Sequence, residues 1–286
     1  MTYGEWYAQY IALYKRRIAP KTRESYTRIH ALLSDLHPVA LADLRPDDIQ
    51  RALIRIEVAA GSRQSQLAFT LLSGVLARAV RSGHISSSPM AAIDKPEHTG
   101  QPGRAMTPAD WAAIAPELAA DPALALCAYA GLRRGEVLAL RRGDIDLSAG
   151  LIRIRRQRVR VGRQLITSAP KSAAGIRDVP IMPELRPILA AACRLLLPSA
   201  PICPCSPETL ARRWRSAQLR AGIRQPYRLH DLRHTYATQM VLRGCNVRVL
   251  QYMVGHSSLS LTMQTYTHID AAAALEECSR LAGSLH

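Results

Sequence analysis

The segment from 230 to 234 combines imidazole and guanidinium groups at helical spacing. His230 and Arg233 are three residues apart, so on a helix both side chains leave the same face and can reach one target. An arginine fork matches phosphate oxygens, and a histidine can transfer a proton or orient a phosphate. His234 would also allow a metal-binding pair, but the zinc motif of this spacing has Glu where Asp231 stands and needs further ligands. The segment therefore favours chemistry on a phosphate over metal binding.

Lys171 is the only lysine after residue 95, in a chain where 34 of the 38 basic residues are arginine. It lies in the segment 170–175, whose proline and glycine predict a loop between two strands. An arginine cannot usefully release a proton, whereas a lysine with a perturbed pKa can act as a general acid. A lysine at this position could supply a proton, and an ordinary exposed loop cation is the alternative.

Three more segments share the second half of the chain with these residues. They are AGLRRGE at 130–136, VGH at 254–256 and YTH at 266–268. Together with the lysine loop and the segment 230–234, they resemble the tyrosine recombinase (phage integrase) family, in the order in which the family carries them. Each segment alone is a weak signal, but the ordered set spans roughly the whole second domain and is highly specific. The helical N-terminal region resembles the core-binding module of the same family.

The resemblance implies the members of an active site. Tyr266 is the implied nucleophile, and Arg133 and Arg233 are the implied ligands of the phosphate as charge builds on it. An unperturbed phenol has a pKa of about 10, so Tyr266 would need nearby cations or a base to react. The other implied members are Lys171 as the mobile general acid, His230 in proton transfer or phosphate orientation, His256 as a second histidine at the phosphate, and Glu136 as structural support.

The implied function is site-specific DNA recombination through a 3′-phosphotyrosyl intermediate, in integration, excision or the resolution of chromosome dimers. One phosphoester replaces another, so neither a metal nor a cofactor is required. The implied partners are double-stranded DNA and further copies of the chain in a homo-tetramer assembled on it, because exchange between two duplexes needs four active sites. A topoisomerase-like nicking and closing enzyme and a non-catalytic DNA-binding regulator are the alternatives.

Composition agrees with a nucleic-acid partner without proving one. The formal net charge is +16 and the pI is about 10.2, which favours polyanions, although a coding bias toward arginine is an equally good explanation of the arginine excess. The six cysteines are scattered, and the pair Cys203 and Cys205 has no second pair at zinc-like spacing, so we assign no metal. No signal peptide and no apolar run of about 18 residues is evident, so the expected location is the cytoplasm, at the nucleoid, and not a membrane.

The expected fold is mainly α with a small antiparallel sheet (α+β), since aliphatic residues and alanine dominate and phenylalanine occurs once. Residues 1–85 predict a core-binding, SAM-like DNA-binding domain of four helices, residues 86–104 a linker rich in proline and glycine, and residues 105–286 the catalytic domain. The resemblance implies a C-shaped clamp on DNA. Because the chain starts directly with the core-binding helices, we expect a Xer-like architecture without an arm-binding domain.

Within the second domain, Thr107 and Pro108 predict the start of a helix. Alternating runs predict strands at 151–154, 163–167 and 177–181, with the loop 170–175 joining the last two as a hairpin. Helices are expected at 207–220, 230–243, 247–254 and 259–268, before an amphipathic tail helix at 270–285. The resemblance implies that this tail passes to a neighbouring subunit, and packing on its own domain is the alternative.

Basic residues on the predicted helices are candidates for DNA contact, and an ordinary solvated face is the alternative. Contacts of this kind release counterions, so DNA binding should weaken steeply with salt. The candidates are Lys21, Arg23, Arg63, Arg78, Arg81, Arg212, Arg213 and Arg215.

Overall fold

The computed structural model describes residues 1–98 and 103–255, in two units with separate cores. The units are Met1–Pro102 and Gly103–His286. His256, Tyr266 and the predicted tail helix 270–285 lie outside the described residues. Within the two described ranges, no helix has the length and apolar character that crossing a bilayer requires.

Within residues 1–98, the N-terminal unit has four α-helices: α1 (Tyr3–Tyr14), α2 (Pro20–Leu32), α3 (Pro46–Ala60) and α4 (Ser62–Arg81). Neighbouring residues determine where these helices begin. The Thr2 hydroxyl accepts a hydrogen bond from the Glu5 amide at 3.2 Å and the Glu5 carboxylate accepts one from the Thr2 amide at 2.8 Å, while α2 and α3 start with proline. The buried Trp6 indole donates to the Val75 carbonyl at 3.0 Å and ties α1 to α4. The prediction of four helices in this region is confirmed.

Ordered packing in this unit continues beyond residue 85, where the predicted first domain ends. Pro89–Ala92 forms a short 3-10 helix, and the Ser88 hydroxyl accepts a hydrogen bond from the Met90 amide at its start. Met90 and Ile93 are buried in the core of the four helices. The first part of the predicted linker 86–104 is therefore packed structure, because these two apolar side chains anchor a segment whose prolines and glycines suggested an extended chain.

The described part of the C-terminal unit has seven helices: α5 (Pro108–Ala120), α6 (Pro122–Tyr129), α7 (Arg134–Ala139), α8 (Leu185–Cys193), α9 (Pro207–Arg220), α10 (Asp231–Leu242) and α11 (Val247–Val254). The Thr107 hydroxyl caps α5 by accepting the Asp110 amide at 3.1 Å, as predicted. Residues 123–128 of α6 are all buried, and α5, α7, α8 and α10 pack against this helix. The central helix α6 thereby sets the placement of α7 relative to α10.

The described part of this unit also has two small antiparallel sheets, built from β1 (Ile145–Asp146), β2 (Leu151–Ile154), β3 (Gln157–Val161), β4 (Gln164–Ser168) and β5 (Arg177–Pro180). One sheet has the order β1-β2-β5, and the other is the ribbon β3-β4. The predicted hairpin around the loop 170–175 is wrong, because the strands on either side of this loop belong to different sheets. Strand β3 had not been predicted.

The burial of apolar side chains explains why β5 pairs with β2. Ile152 of β2 lies opposite Val179 of β5, and both side chains are in the core, so β5 finds its apolar partner in β2. The β3-β4 ribbon is less buried and lies against α7. A Cβ atom at Gly135 would be 2.8 Å from the Arg158 carbonyl oxygen, so the ribbon can approach α7 this closely only because residue 135 is glycine.

Candidate active site

Arg133 stands at the N-terminal end of α7, where its position is fixed by Glu136. The Glu136 carboxylate accepts hydrogen bonds from the Arg133 amide at 2.8 Å and from Arg133 Nη1 at 2.9 Å. The second terminal nitrogen, Nη2, donates to the Gly255 carbonyl at 2.6 Å. These hydrogen bonds hold the guanidinium in place. Because 36% of the Arg133 side chain is exposed, part of it remains accessible to a ligand.

Arg233 lies on α10 and is almost fully buried. Its guanidinium donates to the Gly131 carbonyl at 2.7 Å and to the Val254 carbonyl. Burial, followed by the positive charge of Arg133, lowers the pKa of Arg233 to about 9, so the group remains charged at neutral pH. No carboxylate within residues 1–98 and 103–255 forms an ion pair with it, which leaves its charge available to an anion.

Arg177 on β5 was not singled out by the sequence analysis, and its side chain is completely buried. It makes a two-pronged ion pair with Glu136, with Nη1 at 3.0 Å from Oε1 and Nη2 at 3.1 Å from Oε2. Nε donates to the Met253 carbonyl at 2.6 Å. The available signal was the strand alternation, because Arg177 and Val179 share the buried face of β5 and a charged residue on such a face is unusual.

These three arginines hold the C-terminal end of α11. They donate to three successive carbonyls: Arg177 to Met253, Arg233 to Val254 and Arg133 to Gly255. The last carbonyls of a helix have no partner within the helix and carry partial negative charge, so cations are favoured there. Gly255 ends the helix with φ of 65°, and the next residue in the chain is His256. Arg133 and Arg177 share the Glu136 carboxylate, and together with Arg233 they form a cluster of net charge +2.

His230 directly precedes α10 and is exposed to solvent. Its ring lies 5.0 Å from that of His234, at an interplanar angle of 89°. Partial desolvation, followed by the charges of His234, Arg233 and Arg133, lowers the pKa of His230. At neutral pH the ring is therefore uncharged and able to accept a proton. Within the described ranges, no group of three or more His, Cys, Asp or Glu side chains could hold a metal ion.

The loop that carries Lys171 connects β4 to β5, and the Lys171 side chain is exposed. It has no hydrogen-bond or ion-pair partner in the part of the chain that the structure describes. The end of the loop reaches the arginine cluster, since a Cβ atom at Gly255 would be 2.8 Å from the Ala174 carbonyl oxygen. The structure thus brings the base of the loop to the end of α11 but leaves the Lys171 ammonium in solvent.

Arg133, Arg233, Glu136 and the neighbouring His230 come together as a site, while His256 and Tyr266 lie outside the described residues. Arg233 and His230 reach it from α10, Arg133 and Glu136 from α7. The turn before α7 depends on Gly131, whose φ is 61° and whose Cβ position would be 2.5 Å from the Tyr236 ring. What this arrangement can do is bind an anion between two fixed guanidinium groups, beside a neutral imidazole.

The eight candidate DNA-contact residues differ in whether their side chains have partners within the protein. Lys21 pairs with Glu24 at 2.7 Å and Arg213 with Asp121 at 3.7 Å. Arg78 stacks on the Tyr14 ring, with 3.8 Å between its guanidinium carbon and the ring centroid. All eight except Arg78 are exposed. Two of the remaining five also have partners: Arg23 donates to the carbonyls of residues 15 and 16, and Arg63 donates to the side chain of Gln66. The other three are Arg81, Arg212 and Arg215.

Comparison with known proteins identifies the family of this chain. A family model described as "Phage integrase family" matches residues 112–273, and one described as "Phage integrase, N-terminal SAM-like domain" matches residues 2–55. The tyrosine recombinase XerC of Methylobacterium nodulans is 30% identical over 304 residues, which cover 94% of this chain and 89% of the relative.

Two solved structures share the fold. The integrase of transposon Tn1549, in complex with a circular intermediate DNA, has a TM-score of 0.83 at 19% identity, covering 98% of this chain and 99% of the other. A lambda integrase tetramer bound to a Holliday junction has a TM-score of 0.70 at 20% identity, covering 93% and 77%. The predicted α+β fold is confirmed. The chain therefore belongs to the phage integrase family, the tyrosine site-specific recombinases.

Proposed function

We propose that this chain cuts and rejoins double-stranded DNA with Tyr266 as its nucleophile and Arg133 and Arg233 as its phosphate ligands. The observation that carries the proposal is the convergence of both guanidinium groups at the end of α11, directly before His256. A phosphate placed there would be neutralised by a cluster of net positive charge that is already held in place by hydrogen bonds.

In the proposed reaction, the Tyr266 oxygen attacks the scissile phosphorus and the bond from phosphorus to the 5′ oxygen breaks. The phenol proton leaves to a base, and the neutral His230 ring is the described group best suited to receive it. The products are a 3′-phosphotyrosyl link and a free 5′ hydroxyl. A 5′ hydroxyl from a partner strand reverses the same steps and releases the tyrosine, so bond energy is conserved without an outside energy source.

The departing 5′ oxygen needs a proton, and Lys171 is the proposed donor. Its position in an exposed loop supports this role, because the end of the loop lies against Gly255 while the ammonium is free to meet DNA. We assign His256 to the phosphate beside the arginines, on the family pattern. Glu136 contributes by holding Arg133 and takes no part in bond breaking.

The proposed partner is double-stranded DNA, and the proposed working form is a homo-tetramer on it, since exchange of two duplexes takes four active sites. The related lambda integrase, solved as a tetramer on a Holliday junction, supports that assembly. Exposed cations in both units, including Arg81, Arg212 and Arg215, are proposed contacts to the DNA backbone. The chain would then act at the nucleoid.

The test is covalent trapping on nicked suicide duplexes that carry sequences flanking the gene. After denaturation, wild type should migrate with the labelled strand, while Tyr266→Phe should bind the same duplex and give no adduct. Tyr252→Phe is a matched control, because Tyr252 is exposed on α11 and its hydroxyl only accepts a hydrogen bond from the Asp178 amide, so this variant should still form the adduct. DNA that is bound by wild type without any adduct would contradict the proposal in favour of a non-catalytic binding protein.

A further inference from the structure

Arg177 uses all three nitrogens of its guanidinium inside the protein. Nη1 and Nη2 grip both oxygens of Glu136, Nη1 also donates to the Gly175 carbonyl at 3.2 Å, and Nε donates to the Met253 carbonyl. None of its side chain is exposed. A DNA phosphate therefore has no access to it, and any influence on the reaction must pass through its neighbours.

Those neighbours belong to three segments that each carry a proposed member of the active site. Glu136 holds Arg133 through the N-terminal turn of α7. Gly175 ends the loop of Lys171. Met253 lies in the last turn of α11, three residues before His256. Arg177 therefore links all three segments through hydrogen bonds.

Stability alone is a poor explanation for a charge in this position. Two ions taken out of water lose solvation energy that their attraction regains only in part, and a well-packed apolar pair would often serve a core equally well. An apolar side chain at residue 177 would remove two hydrogen bonds and a charge that favour the ionised Glu136 carboxylate. Burial raises the pKa of Glu136, and the hydrogen bonds and charges of Arg177 and then Arg133 more than reverse this and lower it. An ionised Glu136 is what holds Arg133 Nη1.

We propose that Arg177 is a positioning residue for DNA cleavage, which sets Arg133 through Glu136 and aligns the Lys171 loop with the end of α11. The proposal rests on the proposed role of Arg133 at the phosphate. It is independent of DNA affinity, because Arg177 does not face the surface.

The test compares Arg177→Lys with wild type in single-turnover cleavage of the nicked suicide duplex at saturating protein. Lysine keeps the charge but lacks the fork, so it cannot bind both Glu136 oxygens, Gly175 and Met253 together. We expect the cleavage rate to fall by roughly 10- to 100-fold, as for a displaced catalytic group, with duplex affinity unchanged. Arg153→Lys is the matched control, because Arg153 pairs with Asp146 within the same sheet and should cleave at the wild-type rate.

A double-mutant cycle separates positioning from general structural damage. If Arg177 acts through Arg133, the double variant should cleave less than about 3-fold more slowly than Arg133→Lys alone, because the group that Arg177 positions is already impaired. If the two losses multiply in full, the proposal is overturned. The pH profile gives a second readout: Arg177→Lys should lose cleavage at a higher pH than wild type as acid titrates Glu136.

The remaining outcomes of the cleavage assay also test the proposed function and the role of Arg177. If wild type forms no adduct, the proposed function fails and the role of Arg177 fails with it. If wild type cleaves and Arg177→Lys cleaves equally fast, only the proposal about Arg177 is overturned. Should Arg177→Lys not fold, Arg177→Gln is the second variant, since its amide can still bind one carbonyl. Absence of a cooperative melt in both variants would make Arg177 a core residue and overturn the positioning role.

Discussion

Replacing Glu136 with glutamine tests the ion cluster that carries the candidate site. Glu136→Gln preserves shape but removes the charge that Arg133 and Arg177 share, and it turns one acceptor oxygen into an amide donor. That donor would face arginine nitrogens now 2.9 to 3.1 Å from the carboxylate. Arg177 would then be buried without its counterion.

The expected loss follows from the burial of the pair. Glu136 is 3% exposed and Arg177 is not exposed at all, so solvent screening gives little relief. Breaking such a pair costs about 3–5 kcal/mol. For a unit of this size that corresponds to a fall in the melting temperature of roughly 6 to 20 °C.

The pH dependence has a definite sign. The pKa of Glu136 is lowered in the folded protein, so its contribution to stability is complete above its unfolded pKa of about 4.3. It is lost as the pH falls through the still lower folded pKa. The gap in melting temperature between wild type and Glu136→Gln should therefore be largest near pH 7 and shrink below about pH 4.

Thermal melts followed by tryptophan fluorescence suit this measurement, because Trp214 is buried in the C-terminal unit. Glu208→Gln is the matched control, since Glu208 forms an exposed pair with Arg160 and should melt with wild type. A loss below about 2 °C at pH 7, or a gap that stays constant down to pH 3, would refute the claim that an ionised Glu136 holds the cluster together.

Two further predictions concern the ends of the site. Gly255→Ala should melt at a lower temperature and cleave DNA more slowly than Gly222→Ala. Both glycines have positive φ, but only at Gly255 would a Cβ atom meet a carbonyl oxygen, at 2.8 Å. Equal melting temperatures and cleavage rates would show that the contact with the Lys171 loop is unimportant. Lys171→Arg should bind duplex DNA as wild type does but cleave roughly 100- to 10,000-fold more slowly, and a substrate with sulfur in place of the leaving 5′ oxygen should restore the rate, since a thiolate leaves without a general acid. Failure of that substrate to restore cleavage would remove Lys171 from the role of proton donor.

The sequence by itself determined the family and the starts of several helices, whereas α6, α7 and α8 had not been predicted. Helix starts depend on neighbouring residues, such as the Thr2 and Glu5 pair of α1 or Thr107 before α5, so they can be predicted without tertiary information. The family could be identified because its motif residues occur in short contiguous segments. Arg133 and Arg233 were found in this way, and their meeting at one site follows from α7 and α10 packing on the same buried helix, α6.

Only the tertiary structure decided the strand pairing and the partners of the charged groups. β5 pairs with β2 across more than 20 residues because their apolar faces share one core, whereas local alternation suggested a hairpin with β4. Arg177 looks like any other arginine in an arginine-rich chain until its burial and its contact with Glu136, 41 residues away, are known. Likewise, the exposed Arg213 is paired with Asp121, while the exposed Arg212 and Arg215 have no ion-pair partner among the described residues. Burial and long-range charge pairing depend on which surfaces the packed helices bring together, and no local pattern of residues records that.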